Sequence, residues 1–161
     1  MKKGVAMQEQ VRRVLDDKGG EVHTTTPDTT VIDAVTAMND HGIGALVVMR
    51  GSKPVGMFTE RDVLRRVVAE ERSPTTAKVG DVMSTDVVSI GPDVTVEEAM
   101  SVITQRRCRH LPVIEERRML GLISSGDLTK WVTRNQARDI QDLVEYINGP
   151  HARDSAPPPV L

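Results

Sequence analysis

Apolar positions along this chain follow two rhythms, and the same order of rhythms occurs twice. Val31, Ala34, Val35 and Met38 recur at i, i+3, i+4 and i+7, and Val96, Ala99, Met100 and Ile103 do the same. That spacing predicts two amphipathic helices. Each is followed by an apolar run, Ala45 to Met49 and Leu111 to Ile114, and then by a polar turn. The turns read Arg50-Gly51-Ser52-Lys53 and Glu115-Glu116-Arg117-Arg118, and each leads into a second run, Val55 to Phe58 or Leu120 to Ile123. Strands that close in sequence predict an antiparallel hairpin. Ahead of each helix a short strand, Val22 to Thr25 or Val87 to Ile90, ends at a Pro-Asp turn, a helix-start signal. A helix closes each unit, from about Glu60 to Glu70 and from about Ser125 onward.

Sliding the sequence on itself by 65 residues makes the repeat explicit. Pro27-Asp28 falls on Pro92-Asp93, Thr30-Val31 on Thr95-Val96, Leu46 on Leu111, Gly56 on Gly121 and Asp62 on Asp127. The register needs no gap from Asp16/Asp81 to Val67/Val132. The expected fold is α/β (α+β): two β-α-β-β-α repeats packed sheet to sheet with pseudo-two-fold symmetry, since one such unit leaves too much apolar surface uncovered. Residues 73–78 read as a linker, and Val79 to Met83 as a short helical turn entering the second repeat. Outside the repeats, Gln8 to Asp17 predicts a helix with Val11, Val14 and Leu15 inward, stopped at Gly19-Gly20. Arg138 to Asn148 predicts another, whose stripe Ile140, Leu143, Val144, Ile147 faces the core or a dimer partner and which Gly149-Pro150 ends. Trp131 is expected to pack beneath that segment. The resulting division is an N-terminal helix with repeat one over 8–72, repeat two over 79–134, a C-terminal helix over 135–150 and a proline-rich disordered tail over 151–161.

Composition narrows the functional classes. With 21 Lys+Arg against 23 Asp+Glu, the net charge of -2 argues against a dedicated nucleic-acid binder. One Phe, one Tyr and one Trp leave too few rings to stack single-stranded bases. The single cysteine, Cys108, excludes an internal disulfide framework and a cysteine zinc cage, and fits a reducing cytoplasm. No apolar stretch is long enough for a signal peptide or a membrane span, so a cytoplasmic location is expected. His23, His41, His110 and His151 show no metal-ligand spacing.

The segments richest in chemistry are Gly56-Met57-Phe58-Thr59-Glu60-Arg61-Asp62 and Gly121-Leu122-Ile123-Ser124-Ser125-Gly126-Asp127. Thr-x-x-Asp and Ser-x-x-Asp at a strand-to-helix junction read first as capping boxes. The same geometry suits a nucleotide, because a helix N-terminus attracts phosphate and an Asp one turn on accepts from a ribose diol. Arg61 adds a cation in the first copy, where the second has Gly126.

These two motifs, the Pro-Asp turns, Val82-Met83 and Arg109-His110-Leu111-Pro112-Val113 together resemble a tandem pair of cystathionine-β-synthase (CBS) domains, a Bateman module, over about residues 16–133. The resemblance implies a compact body with two clefts that hold adenosine compounds such as AMP, ADP, ATP, NAD or S-adenosylmethionine, and a protein that dimerises. It implies that Asp62 and Asp127 hold ribose hydroxyls, with Thr59 and Ser124 near phosphate. Ile43, Gly44 and Ala45, and Cys108, Arg109 and His110, would edge the adenine pockets. Gly20 and Glu21, and Ser84 and Thr85, would close them, while Arg61, Arg109 and His110 neutralise phosphate. Gly44-Ala45 against Arg109-His110 makes the two clefts unequal.

The leading expectation is therefore a non-catalytic sensor that binds an adenine nucleotide, forms a homodimer and regulates a protein target. It has no covalent cofactor, metal or membrane partner. The alternative is a dimeric interaction scaffold in which the motifs serve as caps alone. A nucleotide hydrolase or transferase would need a metal or an activated nucleophile, and the sequence displays neither.

Overall fold

The computed structural model describes residues 5–148. The tail expected over 151–161 and the Gly149-Pro150 helix stop lie outside them. The helices are α1 (Val5–Gln8), α2 (Val11–Lys18), α3 (Val31–His41), α4 (Glu60–Asp62), α5 (Val79–Val82), α6 (Val96–Arg106) and α7 (Ser125–Asn148). The strands are β1 (Thr24–Thr25), β2 (Ala45–Arg50), β3 (Lys53–Thr59), β4 (His110–Glu115) and β5 (Arg118–Ser124).

Both hairpins form as the alternation predicts. β2 pairs antiparallel with β3 from Ala45↔Thr59 to Arg50↔Lys53, and β4 with β5 from His110↔Ser124 to Glu115↔Arg118. Their registers slip at equivalent places, Val48/Met49 and Val113/Ile114. The leading strands are shorter than expected. In repeat one only Thr24 and Thr25 pair, parallel to Val47 and Val48; in repeat two only Ile90 pairs, with Val113. Thr30 caps α3 through the Asp33 N–H, and Thr95 caps α6 in a reciprocal box with Glu98.

Each repeat has its own core. The first gathers Val31, Ala34, Met38, Leu46, Val48, Phe58 and Val67, and the second Val96, Ala99, Leu111, Val113, Ile123 and Leu128. Each core is completed by a helix that precedes the other repeat. Val79 and Val82 of α5 are buried in the first; Val11, Val14 and Leu15 of α2 are buried in the second. The exchange is symmetric to the hydrogen bond. The Val79 N–H donates to the Thr29 carbonyl, Gly80 to Pro27 and Val31 to Ala77; Val11 donates to Val94, Arg12 to Pro92 and Val96 to Glu9. In this arrangement Val11 corresponds to Val79, so the register before each repeat is displaced by three residues from the gapless match at Asp16/Asp81.

Two helices depart from expectation. The helix expected over Glu60 to Glu70 is α only to Asp62; Val63–Val68 is a π-helix, with the Ala69 N–H reaching back to the Leu64 carbonyl. The C-terminal helix is not separate. α7 runs unbroken for 24 residues, about 36 Å at 1.5 Å per residue. Trp131 lies within α7 and packs on the second core, but Ile140 and Val144 are exposed, which corrects the core reading of that stripe. The side chains of Leu143 and Ile147 are not among those described.

Candidate functional site

Both motifs form reciprocal capping boxes. Asp62 Oδ2 accepts from the Thr59 N–H at 2.9 Å and from its hydroxyl at 2.9 Å, while the Asp62 N–H points at Thr59 Oγ1 at 3.4 Å. In repeat two the corresponding distances are 2.8, 2.8 and 3.1 Å between Ser124 and Asp127. The next N–H after each hydroxyl residue is also secured: Glu60 donates to the Gly44 carbonyl and Ser125 to the Arg109 carbonyl. The local chemistry of the motif is thus structural in both copies, and what differs is the surroundings.

Asp62 is buried, and its free oxygen Oδ1 accepts from the Ser84 hydroxyl at 2.9 Å, with Arg66 Nη1 at 3.6 Å. Ser84 comes there because residues entering repeat two cross beside β3, where Ser84 and Met57 exchange both backbone hydrogen bonds. Gly56 permits the crossing: a Cβ on it would sit 2.7 Å from the Ser84 carbonyl oxygen and 3.0 Å from Met83 Sδ.

A cleft of about 430 Å³ opens above this crossing, within the range of roughly 300–1,000 Å³ typical of small-molecule sites. One wall is the first motif and the π-helix: Gly44, Met57, Thr59, Glu60, Arg61, Asp62, Arg65 and Arg66. The other is Ser84, Asp86, Val87 and Val88 with the run Arg106-Arg107-Cys108-Arg109-His110. Six arginines face three carboxylates in a chain of net charge -2, so the positive field is concentrated here. Arg61 Nη1 donates to the Arg107 carbonyl at 2.6 Å, and Arg66 Nη1 to the Val82 and Met83 carbonyls at 3.0 and 2.6 Å. Among the described residues Arg65, Arg106 and Arg109 make no side-chain hydrogen bond or ion pair, and the backbone groups of Asp86, Val87 and Val88 are likewise unpaired. Arg107 caps α6 in the left-handed conformation at φ 51°, where repeat one uses Gly42. A non-glycine residue stays there only when its surroundings hold it.

The cleft thus brings together Thr59, Arg61, Asp62, Gly44, Ser84, Cys108, Arg109 and His110 of the residues singled out from the sequence. Thr85 instead lines a separate cavity of about 210 Å³ between the two sheets. Ala45 is buried in β2, Ile43 packs on the first core, and Gly20 and Glu21 are exposed. Ser124 and Asp127 line neither space. Arg65 and Arg66 carry no signal in the sequence beyond looking like solvated charges on the helix expected over Glu60 to Glu70, and Asp86 none beyond a charge between the Val79–Met83 turn and the Val87 strand.

Burial and the neighbouring Arg109 charge push the His110 pKa down, with Lys18 adding to the effect. Burial also raises the Cys108 thiol, against the opposing pull of Arg106 and Arg61, so it is a poor nucleophile. For Asp127 burial raises the pKa, but the Lys18 ammonium and the Ser124 donors outweigh it, and the net shift is downward. The signs give two pH windows. Below the ordinary histidine value of 6.5 the unfolded chain takes up a proton that folded His110 resists. Its contribution is therefore complete above that pH and is lost as the pH falls. We expect the urea midpoint to drop between pH 7.5 and 5.5, and His110→Gln to flatten that slope. The Asp127 contribution persists until the pH falls below about 3.8.

The CBS-domain family profile matches residues 11–69 and 79–134, two copies covering more than half of the sequence. The chain belongs to the CBS-domain family. It is 39% identical over 129 residues to the Arabidopsis thaliana CBS domain-containing protein CBSX3, mitochondrial, covering 77% of this chain and 63% of that protein. A solved CBS-domain protein from Burkholderia ambifaria MC40-6 superimposes with a TM-score of 0.77 at 39% identity, covering 80% of this chain and 96% of the other. The inosine-5'-monophosphate dehydrogenase of Methanocaldococcus jannaschii is 35% identical over 160 residues, but that stretch is 31% of the enzyme. CBS pairs are generally regulatory rather than catalytic. Among the described residues no helix is long and apolar enough to cross a membrane, and no group of three or more His, Cys, Asp or Glu converges as a metal site.

Proposed function

We propose that this CBS pair is a non-catalytic sensor that binds an adenosine compound bearing phosphate in the 430 Å³ cleft. The observation that carries the reading is the convergence in one space of buried Asp62 with Arg65, Arg106 and Arg109, whose side chains have no partner among the described residues. The arginines suit phosphate oxygens, which they contact in forked geometry. Asp62 and Ser84 suit a ribose diol. Met57, Val87 and Val88 offer an apolar wall to the base, and the unpaired backbone at 86–88 offers its edge donors and acceptors.

The ligand switches a regulated protein target by favouring one of two packings, and it does so only as far as its affinities for them differ. We place the protein in the cytoplasm as a homodimer. Its single cysteine supports the first, and the second is supported by exposed Leu64, Val68, Ile140 and Val144.

A thermal-unfolding series against AMP, ADP, ATP, NAD, NADH and S-adenosylmethionine tests the proposal. At 100 times its dissociation constant a ligand adds about 2.7 kcal/mol. For a chain of this size that raises Tm by about 5–11 °C. No shift with any of the six, in protein shown to be ligand-free, overturns the sensor reading and leaves the interaction scaffold.

A further inference from the structure

The leading segments of the two repeats differ by one hydrogen bond, and a single residue causes the difference. In repeat one the Val47 N–H donates to the His23 carbonyl at 3.1 Å, tying the chain ahead of Thr24 and Thr25 to β2. The equivalents in repeat two are Pro112 and Val88. The ladder keeps its register there, because the Ile90 N–H donates to the Pro112 carbonyl at 3.0 Å and the Ile114 N–H to the Ile90 carbonyl at 2.9 Å. A parallel ladder in that register calls next for a bond from the backbone nitrogen of residue 112 to the Val88 carbonyl. Proline has no N–H to give. Pairing therefore stops at Ile90, and the Val88 carbonyl has no partner among the described residues. We propose that Pro112 is a positioning residue for ligand specificity. It leaves the Val88 carbonyl free to accept from an amino group on the base, so that the cleft takes an aminopurine nucleotide in preference to an oxopurine one. This rests on the reading of the 430 Å³ cleft as a nucleotide site.

The surroundings of Val88 support the assignment. Val88 is half-buried and lines the cleft beside Val87 and Met57, the apolar wall offered to the base. On its other side the segment parts from β4, and Val87, Ser89 and Pro112 line the 210 Å³ cavity between the sheets. The chain at Val88 thus runs along an open space instead of against a neighbouring strand. Nothing in the packing demands the proline: buried Val47 fills the equivalent place in repeat one and makes the bond. A proline in a strand that has neighbours on both sides removes a ladder bond, which strands ordinarily avoid. The open carbonyl is the consequence, and a donor on the ligand relieves it. An amino group supplies that donor, whereas a ring oxo group sets oxygen against oxygen and leaves both unpaired.

The test compares wild type with Pro112→Val and Pro112→Ala, either of which serves if it unfolds cooperatively. Hydrogen exchange reads the amide created at position 112, and calorimetry reads the affinities for ATP, inosine 5′-triphosphate and inorganic tripolyphosphate. We expect wild type to prefer ATP over the inosine nucleotide by about tenfold, the effect of one hydrogen bond made or left unmade. In the variants the amide at position 112 is protected from exchange, the preference falls to within about twofold, and tripolyphosphate binds as it does to wild type. Equal affinity of wild type for the two nucleotides overturns the proposal alone, and so does a preference that survives in a variant or an unprotected amide at position 112. If wild type binds ATP no more tightly than tripolyphosphate, or binds neither, the reading of the cleft as a nucleotide site fails with it.

Discussion

Replacing Gly56 by alanine lowers stability by about 2–4 kcal/mol, a fall in Tm on the order of 10 °C, whereas Gly121→Ala costs less than about 1.5 kcal/mol. The two glycines are equivalent in the repeat and have no difference in backbone demand, since neither has a positive φ. They differ in what a methyl group would strike. At Gly56 it meets the Ser84 carbonyl oxygen at 2.7 Å, a backbone atom that cannot retreat without breaking the two Met57–Ser84 hydrogen bonds. At Gly121 it meets Leu15 Cδ2 at 2.7 Å, the tip of a side chain that can rotate away. Overpacking accounts for about 1–3 kcal/mol of the first cost and the strained hydrogen bonds for the rest. Thermal unfolding of both variants checks this, and equal losses would mean that the crossing is not what Gly56 serves.

Asp62→Ala is expected to cost about 2–4 kcal/mol, against about 1 kcal/mol for Asp127→Ala. Each change removes one half of a capping box, worth about 1 kcal/mol. At Asp62 the loss also strips a buried acceptor from the Thr59 N–H and the Ser84 hydroxyl, and a buried donor left unpaired costs about 1–3 kcal/mol more. Asp127 is more exposed, and the Lys18 ammonium released by its removal, itself one-third exposed at 33%, returns to water. Urea unfolding measures both, and on our reading Asp62→Ala also abolishes nucleotide binding. If Asp127→Ala proved the costlier change, the burial difference between the motifs would not govern their energetics.

Much of this architecture is legible in the chain. The helices α3 and α6, both hairpins and both motif caps follow from periodicity and capping chemistry, because each is decided by residues close in sequence. The exchange of α2 and α5 between repeats is not legible. The pattern Val11, Val14, Leu15 says that one face is buried, not against which of two similar cores. The π-helix is hidden for a related reason: Val63 and Val67 keep an α-like spacing, and Arg65 and Arg66 look like a solvent face until the crossing strand supplies carbonyls for Arg66. The apolar spacing of Ile140 and Val144 reads as a buried face, and only their exposure in the fold shows that these two positions of α7 lie off the core. Lys18 looks like an ordinary basic helix end. Its acceptors at Leu122 and Asp127 lie more than 100 residues away, beyond any local rule.

One arginine-lined cleft, formed between the first motif and the start of the second repeat, is the proposed ligand site. Calorimetric titration of ligand-free protein with ATP, wild type beside Arg109→Ala, tests it most directly, because Arg109 lines the cleft and its side chain has no other partner among the described residues. We predict saturable binding to wild type and at least about tenfold weaker binding to the variant, or about 1.4 kcal/mol, with Tm unchanged. Equal affinity for the two proteins, or no binding to either, would contradict the assignment of this cleft.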